Sequence, residues 1–180
     1  MTANRVRIIG GVHRSRVLRF PDRPGLRPTP DRVRETLFNW LGQDLTGRRV
    51  LDLYAGSGAL GLEAASRGAA EVVLVDLDGI TLDGLRANVR LLQLDKVKVV
   101  RADALEFLQT VQIPFDVVFA DPPYAKANPP ELLGVVFPRL APDGFLYLEA
   151  PAPVEESEEW TVRHRLRAGN VHAHLMQKNR

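Results

Sequence analysis

The chain has no cysteine among its 180 residues, which excludes disulfides and thiolate metal sites and fits the cytoplasm. It has no apolar run of about 18 residues, so a membrane-spanning helix is not expected. The opening segment MTANRVRIIGG lacks the apolar stretch of a secretory signal. Lysine is scarce: 20 of the 24 basic residues are Arg, and no Lys precedes Lys96. With 45% hydrophobic and 26% charged residues, the remaining composition is that of an ordinary globular protein.

What is present is unevenly divided. Residues 1–49 carry 11 Arg against 4 acidic residues, net +7, whereas residues 50–180 are net −5. A planar guanidinium fork suits phosphate, so an Arg-crowded end points to a polyanionic partner. Within it, VRIIGGVHRSRVLRF reads as two short strands around Gly10-Gly11, and PDRPGLRPTP as a rigid loop. Thr29 is placed to cap a helix that has Pro30 at its first position and Val33, Leu37, Trp40 and Leu41 on its buried face. This organisation divides the chain into an arm, residues 1–42, and a main domain, residues 43–180.

The main domain alternates strand and helix. Candidate strands are Arg49–Tyr54, Glu71–Asp76, Val97–Arg101, Phe115–Ala120 and Gly144–Glu149. Continuous apolar runs such as VVLV and VVFA predict a parallel sheet covered on both faces. An amphipathic helix carries Leu82, Leu85, Val89 and Leu92. From Trp160 to Leu166 and from Val171 to Leu175 apolar and polar residues alternate around Ala168-Gly169-Asn170, an antiparallel hairpin. The expected class is α/β: a mostly parallel seven-stranded sheet finished by a C-terminal antiparallel hairpin, with a small β-hairpin/helix extension at the N-terminus. That layout resembles the Rossmann-like class I methyltransferases.

Gly56, Gly58 and Gly61 follow the first strand of this domain in the spacing G-x-G-x-x-G, which suits a dinucleotide or another nucleotide-bearing cofactor. Asp76, twenty residues past Gly56, would accept bonds from ribose hydroxyls in either case. Asp52 discriminates: a carboxylate is a poor neighbour for a pyrophosphate, while S-adenosylmethionine brings a cationic sulfonium and ammonium. Asp103 is placed either to meet an adenine amine or to cap the helix ALEFL. The fourth strand ends in Asp121-Pro122-Pro123-Tyr124, which faces the same crevice. Here a carboxylate and a proline carbonyl offer two acceptors for one exocyclic amine, and Tyr124 offers a stacking face. Accepting both hydrogens makes the amine lone pair available for in-line attack on a methyl group. His13 is a possible companion of the arm arginines. His164, His172 and His174 read as solvated or packing residues, and no metal site is expected.

The segments RIIGGVHRSRVLRFP, PGLRPTPDRVRETLFNWL, LDLYAGSGALGLEAASRGA, FADPPY and AGNVHAHLMQ together resemble the bacterial 16S rRNA guanine-N2 methyltransferase family, nearly end to end. The resemblance implies S-adenosylmethionine as donor and cofactor contacts at Asp52, Tyr54, Ala55, Gly56, Ser57, Gly58, Asp76, Leu77, Asp103 and Ala104, with Thr29 and Arg32 across the pocket. It implies a target-amine clamp at Asp121, Pro122, Pro123 and Tyr124, and an rRNA grip through Arg5, Arg7, Arg14, Arg16, Arg19 and Arg27. The expected partner is 16S rRNA or the assembling small subunit, met by a monomer. DPPY alone suits an adenine N6 amine equally, so an adenine-N6 methyltransferase on DNA or RNA stays open. So do an NAD-dependent oxidoreductase, for which no catalytic His or Tyr-Lys pair stands out, and a non-enzymatic RNA-binding protein.

Overall fold

The computed structural model describes residues 4–180, apart from the side chain of Tyr124. In chain order, β1 (Asn4–Arg7) and β2 (Val17–Phe20) pair antiparallel, and helix α1 (Asp31–Trp40) follows. The main sheet then alternates with its crossovers: β3 (Arg49–Asp52), α2 (Gly61–Ser66), β4 (Glu71–Asp76), α3 (Gly79–Leu91), β5 (Val97–Arg101), α4 (Ala104–Thr110), β6 (Phe115–Ala120), α5 (Pro129–Val136), β7 (Leu140–Ala150), β8 (Trp160–Ala168) and β9 (Val171–Lys178). The strand order is β5-β4-β3-β6-β7-β9-β8. Strands β3 to β7 are parallel, and β9 lies antiparallel between β7 and β8. The chain winds from β3 out to β5, then returns to β6 on the other side of β3. The crevice between β3 and β6 is therefore the switch point, where ligands bind in open α/β sheets.

The continuous apolar strands feed two cores. Val72 and Leu74 face one side with Leu62, Leu82 and Leu85; Val73 and Val75 face the other with Leu108, Leu132 and Val136. The arm is built into the first of these. Val6, Ile8, Leu18, Phe20, Leu37 and Phe38 are all buried there beside Leu62 and Phe119, each contributing roughly 1.5–3 kcal/mol of burial.

A polar knot fixes the arm's orientation. Glu63, fully buried on α2, accepts hydrogen bonds from the backbone of Ile9 (2.9 Å) and Gly10 (2.8 Å) and from Arg67 Nε (3.0 Å). Arg34, also fully buried, reaches Glu63 at 3.4 Å and donates to the carbonyls of Arg7 and Thr29. Gly11 completes the seam: its φ is +77°, and an added Cβ would lie 1.9 Å from the Ser66 carbonyl oxygen.

Local departures from expectation have physical causes. Thr29 does not cap α1; Pro30 occupies the cap position and the helix starts at Asp31, because the Thr29 carbonyl is turned to accept from Arg34 Nε. The buried face of α1 is Val33, Arg34, Leu37 and Phe38, with Trp40 and Leu41 only half-buried. The helix is rolled toward the Glu63 knot. The N-terminal strands do not turn tightly at Gly10-Gly11; residues 8–16 form a longer loop held to α2 through Ser66. Strand β3 ends at Asp52, two residues short of Tyr54, and β7 extends back to Leu140.

Candidate active site

A cleft of about 1120 Å³ opens at the carboxyl ends of β3, β4, β5 and β6. One wall is the proline-rich loop, residues 23–30, stapled to the sheet by an ion pair between Arg23 and Asp78 at 2.9 Å. Asp78 also caps α3 through the Thr81 amide, so loop, helix and strand end are tied at one point. The opposite wall is Asp121, Pro122 and Pro123 after β6, with Lys126 and Glu149.

Most of the expected residues converge here: Thr29, Asp52, Tyr54, Ala55, Gly56, Ser57, Asp76, Leu77, Asp103 and Ala104 all line the cleft, as does Arg27. Two do not. Gly58 is buried beneath the loop, where an added Cβ would meet Leu62 and Leu85, and so it shapes the turn without facing the cleft. Arg32 is exposed on the first turn of α1 and is absent from the lining, because the helix is rolled to bury Arg34 instead. Tyr124 begins a short 3-10 turn, residues 124–126; its side chain, and hence the stacking expected of it, lies outside the described residues.

The carboxylates are held by specific amides. Asp52 is buried and accepts from the Gly61 amide at 2.9 Å, at the start of α2. Gly61 allows that approach, since a Cβ there would lie 2.2 Å from Leu74 Cδ2. Burial pushes the Asp52 carboxyl up to about 7; the Gly61 bond opposes this and the neighbouring Asp76 charge adds to it. Asp76 bridges the Gly56 and Asp78 amides, both at 3.0 Å. Asp103 caps α4 with one oxygen, accepting from Leu105 and Glu106 amides, while also lining the cleft, so capping and facing the ligand space are compatible. Tyr54, half-buried beside it, has its phenol pushed up to about 12 by burial and the Asp103 and Glu131 charges.

Asp121 opens onto the cleft. Limited solvation between the walls, then repulsion from Glu149, raises its carboxyl to about 8. Glu149 was not among the residues expected from sequence. Strands β6 and β7 align Ala120 with Leu148, so the next residues, Asp121 and Glu149, stand side by side. Tyr147, wholly buried, donates to Glu149 Oε1 at 2.7 Å. Nothing in LYLEA marks this Glu as a site residue. Only the register of two strands far apart in sequence finds it. Arg34 and Glu63 were missed for the same reason.

On the arm, Arg5, Arg7, Arg14, Arg16, Arg19 and Arg27 are all exposed, and none is in an ion pair among the described residues. His174 is buried, accepting from the Val154 amide at 2.9 Å, while the exposed His164 stacks on Trp40. Among the described residues no group of three or more acidic or His side chains is arranged to hold a metal ion, and no helix is long and apolar enough to cross a membrane.

Comparison with known proteins adds an independent line. A family model described as conserved hypothetical protein 95 matches residues 6–177. The ribosomal RNA small subunit methyltransferase D of Escherichia coli strain K12 is 40% identical over 98% of this chain and 91% of its own length. Its namesake from Haemophilus influenzae is 37% identical over 96% of this chain and 93% of its own. The solved structure of the Escherichia coli protein yhhF superposes with a TM-score of 0.88 at 36% identity, covering 97% of this chain and 98% of that one.

Proposed function

The chain belongs to the family described as conserved hypothetical protein 95, and we propose that it is an S-adenosylmethionine-dependent methyltransferase acting on the exocyclic N2 amine of a guanine in 16S rRNA. Its fold is the Rossmann-like class I methyltransferase architecture. Two full-length relatives bear the name ribosomal RNA small subunit methyltransferase D, which supports the RNA class.

The observation that carries the cofactor is the bond from the Gly61 amide to Asp52. In a dinucleotide site the first amides of this helix receive a pyrophosphate. Here the amide is already taken by a carboxylate, and Asp76, Asp103, Asp121 and Glu149 add further acids to the walls. At the start of α2 a phosphate would therefore meet a carboxylate, where a cation is favoured. The cleft also exceeds the roughly 300–1,000 Å³ of a typical single-ligand pocket, leaving room for a nucleobase beside the cofactor.

In this reading Asp52 faces the cationic end of the cofactor, Asp76 accepts from its ribose hydroxyls, and Tyr54, Leu77, Asp103 and Ala104 surround its adenine. S-adenosylmethionine supplies a methyl group on a positively charged sulfur. The Asp121 carboxylate and Pro122 carbonyl accept the two hydrogens of the target amine, freeing a lone pair that ring conjugation otherwise delocalises. Asp121 then takes up the proton that the methylated amine releases. The six exposed arginines bind phosphates and set register, and the target base leaves its stack to enter the cleft. The arm, residues 1–42, is the RNA-gripping unit of a cytoplasmic monomer.

The test is methyl transfer from labelled S-adenosylmethionine to protein-free 16S rRNA or to small subunits lacking the modification. Label should enter one of them with the wild-type protein. Asp121→Ala should reduce transfer by about 100-fold or more with cofactor affinity nearly unchanged. Label in neither substrate, or full activity of Asp121→Ala, overturns the reading.

A further inference from the structure

Resting on that reading, we infer that Glu149 selects the target base, by accepting the N1–H of guanine while Asp121 accepts from N2. The two candidate bases differ in the donors and acceptors along their edges. Guanine presents two donors side by side, N1–H and N2–H2. Adenine presents one donor, N6–H2, beside the bare lone pair of N1. A site built for guanine therefore needs two adjacent acceptors, and a site built for adenine needs an acceptor next to a donor.

The strand register supplies two adjacent acceptors. Ala120 pairs with Leu148, so Asp121 and Glu149 leave neighbouring parallel strands at the same level, and both line the cleft. Glu149 is the acidic group that acts most strongly on Asp121, through its charge and through a hydrogen-bonding contact. The Tyr147 hydroxyl donates to Glu149 Oε1 at 2.7 Å. That bond fixes the Glu149 side chain as an acceptor at the cleft wall. Tyr147 itself is wholly buried against Phe119, at 6.4 Å between ring centroids, so the anchor is rigid. The acceptor pair does not depend on the Asp-Pro-Pro-Tyr segment alone, and that segment by itself does not distinguish the two bases.

An incoming base with a lone pair at N1 would point it at the Glu149 carboxylate. Buried polar groups left unpaired are what give a hydrogen-bonding site its selectivity, on the order of 10⁴-fold in strong cases. Nearby cationic charge from the bound cofactor favours Asp121 in the ionised, accepting form.

The experiment uses the full chain and small-subunit rRNA carrying, at the methylated position, either guanine or 2,6-diaminopurine. The analogue keeps the N2 amine but has a bare lone pair at N1. Wild-type protein should methylate guanine about 100-fold faster than the analogue. In Glu149→Gln the amide can donate to that lone pair, so the guanine rate should fall, the analogue rate should rise, and the ratio should shrink to within about tenfold. Tyr147→Phe, which keeps the ring and loses only the anchor, should reduce the ratio by about three- to tenfold and serves if Glu149→Gln does not fold. A ratio unchanged in both variants overturns the inference while leaving the guanine-N2 reading intact. Label in N6 of adenine with the wild-type protein overturns the guanine-N2 reading instead, so the two failures are distinguishable.

Discussion

Acidifying the solution from pH 7.0 to pH 5.5 should weaken S-adenosylmethionine binding about fifteenfold, through Asp52. Its carboxyl stands at about 7 in the protein alone. About half of the molecules are therefore ionised at pH 7.0 and about 3% at pH 5.5. A cation beside Asp52 binds the ionised form, so binding at the lower pH must first expel a proton, and the ratio of the two populations is the affinity loss. The cofactor's α-amino group, near 7.7–8.0, stays protonated over this range. Titration calorimetry in two buffers of different ionisation enthalpy would read both affinity and protons released, close to one per ligand at pH 5.5. Asp52→Asn keeps an acceptor for the Gly61 amide and removes the charge. It should bind more weakly at pH 7.0 and lose most of the pH dependence. For stability without ligand the sign reverses. Asp52 and Asp121, raised from 3.8 to about 7 and about 8, hold protons that the unfolded chain releases, so their contribution declines as pH rises from about 4 through these values. Affinity that is flat from pH 5.5 to 7.0, with no proton release, would refute the reasoning.

Three further perturbations probe other parts of the structure. Asp76→Ala strands the Gly56 and Asp78 amides and should weaken cofactor binding by about 10–100-fold, roughly 1.4–2.8 kcal/mol, in the same calorimetric titration. Glu63→Ala leaves buried Arg34 without its α2 partner and should destabilise by about 3–5 kcal/mol, lowering the melting temperature by about 10 °C; Asp83→Ala, which breaks the exposed pair with Arg86, should change stability by less than about 1 kcal/mol. Arg14→Ala combined with Arg16→Ala should weaken RNA binding in filter assays and reduce the slope of log affinity against log salt by about two. An unchanged slope would move the RNA grip away from the arm.

How much of this was legible beforehand follows from the range of the interactions involved. Strands β4 and β6 could be read because each carries its own signal, a run of apolar residues too continuous for a one-sided sheet. Asp52, Asp76 and Asp121 could be read because each lies at or just past the end of a strand, and strand ends at a switch point meet whatever the sequence between them. The partners of these groups could not. Glu149 becomes a neighbour of Asp121 only through the register of β6 on β7, and Arg34 meets Glu63 across 29 residues. The same knot explains two local misreadings. Arg34 has four side-chain bonds to satisfy, and satisfying them rolls α1, displaces the Thr29 cap and leaves Arg32 facing solvent. Periodicity counts Arg as polar and so assigns it to the outside. Burial of a fully bonded guanidinium is invisible to that rule.

The most direct test is to digest the labelled RNA to nucleosides and identify which one carries the methyl group. Label in N2-methylguanosine is the predicted result, joining donor, reaction and base in one observation. Label in N6-methyladenosine would contradict it, keeping the Asp121 clamp while removing guanine as its target.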